Sequence, residues 1–246
     1  MTVRLMLTCL CDAFYGNVGI AAVRVLEAAG CQVEFDNRQT CCGQPPFNAG
    51  DWAAARKIAD HCLDVFPSGG APIVTPSGSC ASMMREGYPM LYPDKPHIEC
   101  FEVGEFLVKN LGILDWGKRL MEISGAAPVK RAPELKVAFH RACHGRGIGL
   151  KDEQEKLIAN LPGIHLVPFK HGEQCCGFGG AFAATHGKLS SGIGLEKLKN
   201  IQDSGAGVIA AGDMGCLMHL QGLIEKHHLP LRTKHYLELM EEALPA

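Results

Sequence analysis

The sequence lacks the features that mark membrane proteins and nucleic-acid-binding proteins. None of its apolar runs approaches the roughly 18 residues that a membrane-spanning helix needs. Its formal net charge is −2, so Lys and Arg are not in excess as they are on surfaces that bind phosphate backbones or anionic lipids. We therefore expect no transmembrane segment and no nucleic-acid partner.

The sequence also lacks a secretory leader and several enzyme motifs. Its apolar start is short, has no Ala-x-Ala-like cleavage site and runs directly into Asp12, so we expect a buried first strand and a cytoplasmic protein. Neither a Walker A motif nor a serine nucleophile elbow is present. The glycines of residues 145–149 miss the third glycine of a dinucleotide-binding loop. These absences disfavour nucleotide-dependent and serine-hydrolase chemistry.

Cysteine, by contrast, is abundant, and eight of the twelve cysteines form a pattern that occurs twice. In each set, thirty-one residues separate the first cysteine from an adjacent Cys-Cys-Gly, and a fourth cysteine follows further along. In a reducing compartment, clustered cysteines more often serve metal or redox chemistry than structural disulfides. We therefore predict two metal sites. The first set is Cys9, Cys41, Cys42 and Cys80, and the second set is Cys143, Cys175, Cys176 and Cys216.

Predicted strands and helices repeat together with the cysteines. The offset between the sets is 134 residues for the first three cysteines and 136 for the last, which indicates a duplicated unit with a two-residue insertion. Continuous apolar runs such as 3–8 and 207–211 predict strands buried on both faces of a parallel sheet. The sequence therefore predicts an α/β protein with two parallel-sheet units related by pseudo-two-fold symmetry. The expected boundaries are 1–113 for the first unit, 114–133 for a connector and 134–246 for the second unit.

All eight cysteines follow the C-terminal ends of predicted strands, in loops rich in glycine and proline. Those ends form one edge of an open parallel sheet, where ligands bind. We therefore expect each set to converge and the two edges to face each other or a shared cleft. Gly43 and the glycines of 177–180 allow backbone N–H groups to turn toward anionic sulfur.

Four thiolates per site suit an iron–sulfur cluster or a structural zinc. We favour iron–sulfur because all-thiolate sets are soft and because the short Cys-x2-Cys spacing of zinc fingers is absent, with zinc left open at one site. His140 and His144 flank Cys143, and we expect them to orient sulfur or backbone through hydrogen bonds, with ligation left open. Arg85 and Arg146 are candidates either for holding a carboxylate or for solvated surface positions.

Longer motifs surround these cysteines. The motifs are Thr8-Cys9-Leu10, Cys41-Cys-Gly-Gln-Pro45, Pro76-Ser-Gly-Ser-Cys80, Cys175-Cys-Gly-Phe-Gly-Gly180 and Gly212-Asp-Met-Gly-Cys-Leu-Met218. Together they resemble the motifs of the cysteine-rich CCG-domain proteins. That family includes one of the polypeptides of heterodisulfide reductase and the iron–sulfur subunits of glycolate oxidase and anaerobic glycerol-3-phosphate dehydrogenase.

The resemblance implies an iron–sulfur redox subunit of an L-lactate-oxidising complex, accepting or relaying electrons as lactate becomes pyruvate. It implies a subunit rather than a complete enzyme, with two companions, a ferredoxin-like iron–sulfur partner and a third subunit. Two alternatives stay open: a zinc-binding structural or assembly protein, and a thiol/disulfide redox catalyst like heterodisulfide reductase.

The chain departs from the family motif at one position in each unit. The full motif ends in Cys-x-x-Cys, whereas Met83 and His219 occupy the last position here. Four thiols per unit fit an ordinary [4Fe–4S] cluster better than the five-thiol cluster of the family. His219 is a candidate substitute ligand, and Cys11 is a candidate replacement for the thiol lost at Met83 or else a buried thiol.

Overall fold

The computed structural model describes residues 1–94, 98–125 and 134–245, and these contain eight short strands and fourteen α-helices. The strands are β1 (Thr2–Leu5), β2 (Gln32–Glu34), β3 (Ile73–Thr75), β4 (Cys100–Glu102), β5 (Leu135–His140), β6 (Ile164–Leu166), β7 (Val208–Ala211) and β8 (Arg232–His235). The helices of the first half are α1 (Cys9–Phe14), α2 (Gly16–Ala28), α3 (Gln44–Asn48), α4 (Trp52–Val65), α5 (Gly78–Ser82), α6 (Tyr88–Leu91), α7 (Val103–Glu105) and α8 (Trp116–Ser124). Those of the second half are α9 (Cys143–Gly147), α10 (Glu153–Ala159), α11 (Ala181–Thr185), α12 (Gly187–Asp203), α13 (Met214–Lys226) and α14 (Tyr236–Glu242), and π-helical turns at Met83–Gly87 and Phe106–Asn110 continue α5 and α7.

The strands form two four-stranded sheets with the same topology. The first has the order β2-β1-β3-β4 and the second β6-β5-β7-β8, and every pairing is parallel. The register repeats as well, because Leu5 pairs with Val74 in the first sheet and Phe139 with Ala210 in the second. The predicted fold class, α/β with a duplicated parallel-sheet unit, is confirmed.

Local sequence signals explain where several elements begin and end. The Asp51 side chain accepts a hydrogen bond from the Ala54 N–H at 3.0 Å and so caps the start of α4. Gly30, with φ +93°, follows the end of α2 in the left-handed conformation that glycine adopts at low cost. β3 and β7 are buried along their whole length, as expected for strands covered by helices on both faces.

The two halves share one hydrophobic core. One cluster of buried side chains includes Leu5 and Phe106 from the first half and Phe139 and Tyr236 from the second. Such a core resists separation of the two sheets, because separation would return large apolar surfaces to water. The relative placement of the two sheets is thus part of the folded state.

Two segments have local structure that was not part of the sequence prediction. Part of the expected connector 114–133 is the helix α8, in which Trp116 and Leu120 are fully buried one turn apart and Trp116 Nε1 donates to the Met240 carbonyl at 3.1 Å; residues 126–133 lie outside the described ranges. The first strand, expected over 3–8, ends at Leu5, because Thr8 caps α1. In the described part of the chain, no helix combines the length and the apolar character needed to cross a membrane.

Candidate metal centre

One cavity lies between the C-terminal edges of the two sheets, and all eight cysteines of the two sets line it. Its volume is about 160 Å³. Both halves supply its walls, since residues following β1, β2 and β3 face residues following β5, β6 and β7. The expected shared cleft is therefore present, and it brings together thiols from both ends of the chain.

The sulfur atoms within each set lie close together. In the first set, Cys9 Sγ lies 3.7 Å from Cys41 Sγ, and Cys42 Sγ lies 3.4 Å from Cys80 Sγ. In the second set, Cys176 Sγ lies 3.0 Å from Cys216 Sγ. These distances exceed the S–S bond length of about 2.05 Å, and all twelve cysteines are thiols. Four sulfurs per set are thus gathered without a covalent bond between them.

Half of the eight cysteines lie in helices rather than in the expected loops. Cys9 and Cys143 are the first residues of α1 and α9, and Cys80 and Cys216 lie in the first turns of α5 and α13. The reason is that polar residues just before three of these helices cap them: Thr8, Ser77 and Asp213 each accept a hydrogen bond from a backbone N–H of the first turn. The caps hold the thiols on rigid backbone next to the strand ends.

The two Cys-Cys pairs lie in loops whose following glycine points its N–H at sulfur. The Gly43 N–H donates to Cys41 Sγ at 3.4 Å, and the Gly177 N–H donates to Cys175 Sγ at 3.3 Å. Both glycines have φ near +90°, a conformation that side-chain-bearing residues rarely adopt. The expected turning of glycine N–H groups toward sulfur is confirmed at these two positions.

These contacts favour one thiolate in each set. Hydrogen bonds from the thiols of Cys42 and Cys9 lower the pKa of Cys41 to about 3. The same arrangement, with Cys143 and Cys176 as donors, lowers the pKa of Cys175 well below its ordinary value. Because the thiolate is the form that binds metals, each set contains a sulfur prepared to receive a cation.

A cross-unit contact, which the sequence analysis missed, locks the two sets against each other. Asp213 Oδ2, beyond β7, accepts hydrogen bonds from the Ser79 N–H at 2.9 Å and the Ser77 hydroxyl at 3.2 Å, beyond β3. Nearby, the Gly78 N–H donates to the Gly212 carbonyl at 3.2 Å. The available signal was that Ser77 and Asp213 occupy corresponding cap positions in the two repeats.

His140 does not make the hydrogen bond expected of it. It is the last residue of β5, only 1% exposed, and neither ring nitrogen has a hydrogen-bond partner among the described residues. One of its ring nitrogens and the Sγ atoms of Cys176 and Cys216 lie within 4.8 Å of one another. Burial lowers the pKa of the imidazole to about 3, so the ring is neutral and keeps a lone pair.

The candidate extra ligands do not line the cavity. His219 Nε2 is 3.4 Å from the Ser190 carbonyl oxygen. Cys11 is fully buried in an apolar cluster with Val18 and Leu217, and burial raises the pKa of its thiol to about 12. Neither side chain lines the cavity, so both remain sequence predictions.

The two arginines considered for carboxylate binding have protein partners. Arg85 Nη1 contacts both carboxylate oxygens of Glu105, at 3.1 and 2.9 Å. Arg146 Nη2 donates to the Glu173 carbonyl at 2.8 Å. Neither lines the cavity, which disfavours a role in holding a carboxylate there.

A buried lysine supports the second Cys-Cys loop. Lys197 is fully buried in α12, and its Nζ donates to the carbonyls of Gly172 at 3.2 Å and Gln174 at 2.8 Å. These bonds fix the segment that leads into Cys175. A lysine within a helix carries no sequence signal for such a role, so the sequence analysis did not find it.

The residues present fit a metal–sulfur group. Eight soft sulfur donors converge on one cavity, one sulfur in each set is stabilised as a thiolate, and backbone N–H groups point at sulfur as they do around many iron–sulfur sites. Together, the fold and the site define a duplicated cysteine-rich α/β protein with both cysteine sets on one inter-unit cavity.

Comparison with known proteins gives the family. The chain belongs to the cysteine-rich domain (CCG) family, whose pattern matches it twice, over residues 3–85 and 137–221. It is similar to lactate utilization protein A of Geobacillus sp. strain WCH70, with 34% identity over 98% of this chain and 99% of that protein. It is also similar to lactate utilization protein A of Exiguobacterium sp. strain ATCC BAA-1283 / AT1b, with 36% identity over 98% of both proteins.

A solved structure shares the fold. The crystal structure of a hypothetical protein from Helicobacter pylori matches all of this chain with a TM-score of 0.56 at 12% sequence identity. The match covers 49% of that protein, so this chain spans about half of its length. At this level of identity the likeness concerns the fold alone.

Proposed function

We propose that this chain is the iron–sulfur redox subunit of an L-lactate-oxidising system, which accepts or relays electrons as lactate becomes pyruvate. The single observation that carries the proposal is the convergence of all eight repeated cysteines on one cavity. The whole-length similarity to lactate utilization protein A supports lactate as the substrate of the system. In this proposal the chain is one component of an oxidoreductase complex.

The two cysteine sets would each hold one centre, for which we propose [4Fe–4S] clusters. Cys9, Cys41, Cys42 and Cys80 would hold the first, and Cys143, Cys175, Cys176 and Cys216 the second. Iron–sulfur clusters supply one-electron transfer at potentials set by hydrogen bonds to sulfur and by solvent exposure. The protein's part is visible in the N–H groups of Gly43 and Gly177, which would stabilise negative charge on sulfur.

The cavity lining favours electron relay over lactate binding. None of the described lining residues is an arginine or a lysine, and the lining includes the carboxylate of Asp213. A lactate carboxylate is held most strongly by a cationic side chain such as arginine, which the described lining lacks. We therefore propose that lactate is oxidised on a partner, with a ferredoxin-like iron–sulfur protein and a third subunit completing the system. We also propose a cytoplasmic location and units bounded at 113 and 134.

The test is lactate-dependent reduction of this chain. The cluster-loaded chain, combined anaerobically with the proteins encoded beside it, should be bleached in its visible absorbance by L-lactate. D-lactate and this chain alone with L-lactate are the controls and should give no bleaching. Bleaching of the isolated chain by L-lactate, or none in the full mixture, would contradict the relay.

A structural zinc site is the second candidate function. One observation favours it: His140 lies with Cys176 and Cys216 in a mixed nitrogen and sulfur group that suits zinc as well as iron. In this case the chain would serve as an assembly or scaffold protein. Zinc without acid-labile sulfide in the anaerobically purified chain would support it.

A further inference from the structure

The two repeats differ in the buried residue at the end of their first strand. Met6 and His140 occupy these corresponding positions, which are 134 residues apart in the sequence. Both are buried, and each directly follows the corresponding sheet pair, Leu5 with Val74 and Phe139 with Ala210. Where the first unit presents a thioether to its core, the second presents an imidazole.

The imidazole of His140 has no protein partner. A buried polar group normally makes a hydrogen bond, because leaving one unpaired costs its full desolvation free energy. Among the described residues, neither ring nitrogen of His140 has such a partner, although the side chain is 1% exposed. Met6, in the same place, would carry no such cost. The histidine therefore needs an explanation that the folded chain alone does not give.

The nearest donor atoms to His140 belong to the second cysteine set. Its ring nitrogen and the sulfurs of Cys176 and Cys216 lie within 4.8 Å of one another, and all three residues are buried. Neutral imidazole nitrogen and thiolate sulfur are both ligands of iron and zinc. No other group of described histidine, cysteine and acidic residues shows this geometry.

We propose that a ring nitrogen of His140 is a fifth protein ligand of the second centre, in addition to its four thiolates, which makes the two centres chemically different. The first centre has sulfur ligands only, whereas the second has mixed nitrogen and sulfur ligation. This inference rests on the proposed function in that it takes the metal to be iron within a metal–sulfur centre. His219, the candidate substitute ligand, instead lies against Ser190.

Exchange of the two corresponding residues provides the test. The native chain and its His140→Met, Met6→His and His144→Met variants are labelled with ¹⁵N-histidine, loaded anaerobically with iron and sulfide, and reduced by one electron. Pulsed EPR should show a directly coordinated nitrogen in the native chain and in His144→Met. His144→Met is a stringent control, because His144 also lies near the cysteines, with its Nδ1 3.8 Å from Cys143 Sγ. In His140→Met that coupling should be lost, and metal affinity at the second site should fall about tenfold or more.

Folding of the metal-free chain is a second, independent readout. Removing an unpaired buried imidazole should leave the melting temperature of metal-free His140→Met equal to or above the native value. Metal-free Met6→His should melt lower, since it gains such a group. A purely structural histidine would give the opposite result: His140→Met would melt lower and leave nitrogen coupling unchanged.

Outcomes for the ligand and for the proposed function can be told apart. Loading with iron and sulfide but no strong nitrogen coupling, or coupling that persists in His140→Met, would overturn the ligand assignment alone. Failure to take up iron and sulfide would count against the proposed function. Cobalt(II) then replaces iron in the same comparison, and the assignment is overturned if its d–d bands are identical in the native chain and in His140→Met.

Discussion

At the scale of single residues, the buried carboxyl group of Glu102 links the two units. Glu102 is fully buried at the end of β4, and the Tyr236 hydroxyl donates to its Oε1 at 2.7 Å across the unit boundary. Its Oε2 caps α7 by accepting from the N–H groups of Gly104 and Glu105. Burial raises the pKa of Glu102 from 4.5 to about 7, even though the hydrogen bonds oppose the shift.

Glu102 should make stability depend on pH. Its folded-state pKa is raised, so its contribution is fully present below pH 4.5 and is lost as pH rises toward 7. A shift of this size corresponds to roughly 3 kcal/mol. Glu102→Gln should remove this dependence, because an amide does not titrate in this range. Urea unfolding across pH 4.5–7 measures the effect.

The pH-dependent contribution of Glu102 to stability has to be separated from that of two buried histidines. Burial lowers the pKa values of His140 and His235 to about 3, so their contributions are lost as pH falls below 6.5 and act in the opposite direction. The decisive quantity is therefore the difference in unfolding free energy between the native chain and Glu102→Gln. Exposed Glu122→Gln is the matched control. A native-minus-variant difference that stays constant from pH 4.5 to 7 would contradict the raised pKa.

At the scale of elements, the Cys-Cys-Gly loops depend on backbone conformation. Gly177 has φ +92°, and a Cβ there would collide with the Ser190 carbonyl oxygen of α12. Gly43 has φ +88°, and a Cβ there would lie 3.3 Å from the Ala55 carbonyl oxygen, which is a tight but smaller conflict. The loops are therefore fixed against their neighbouring helices as well as by their own conformation.

Alanine substitutions at the loop glycines should differ in the unfolding free energy and the metal binding that they remove. Gly177→Ala should cost about 3 kcal/mol or more and abolish metal binding at the second set, because both the left-handed conformation and the collision oppose it. Gly43→Ala should cost less. Gly50→Ala, with φ +81° but open space around it, is the control for conformation alone and should cost about 1–2 kcal/mol with metal binding intact. Equal losses at positions 177 and 50 would refute the collision argument. Urea unfolding and metal content measure these outcomes.

How far the sequence predicts an element depends on how local its cause is. The parallel strands and the convergence of the cysteines could be predicted, because apolar runs and the 134-residue repeat are present in the chain itself. The helical placement of Cys9 and Cys143 could not, since it follows from where short strands give way to capped helices.

At the scale of the whole molecule, the two repeats form one site because they touch at their strand ends. A Cβ on Gly78 would lie 3.1 Å from the Gly145 Cα of the other unit, which shows how closely the backbones approach. The hydrogen bonds of Asp213 add a polar link at the same place. A shared cleft was predictable from the sequence, but these contacts and the unpaired His140 were not, because each depends on distant segments meeting in the fold.

We propose that each cysteine set holds its own metal–sulfur centre. The most direct measurement is iron, acid-labile sulfide and zinc per chain after anaerobic purification, together with EPR before and after dithionite. It is made on the native chain, Cys42→Ser and Cys176→Ser. We expect iron and sulfide in the native chain, and each variant should lose about half of both together with one of two EPR signals. Zinc without sulfide, or two unchanged signals in either variant, would contradict the claim.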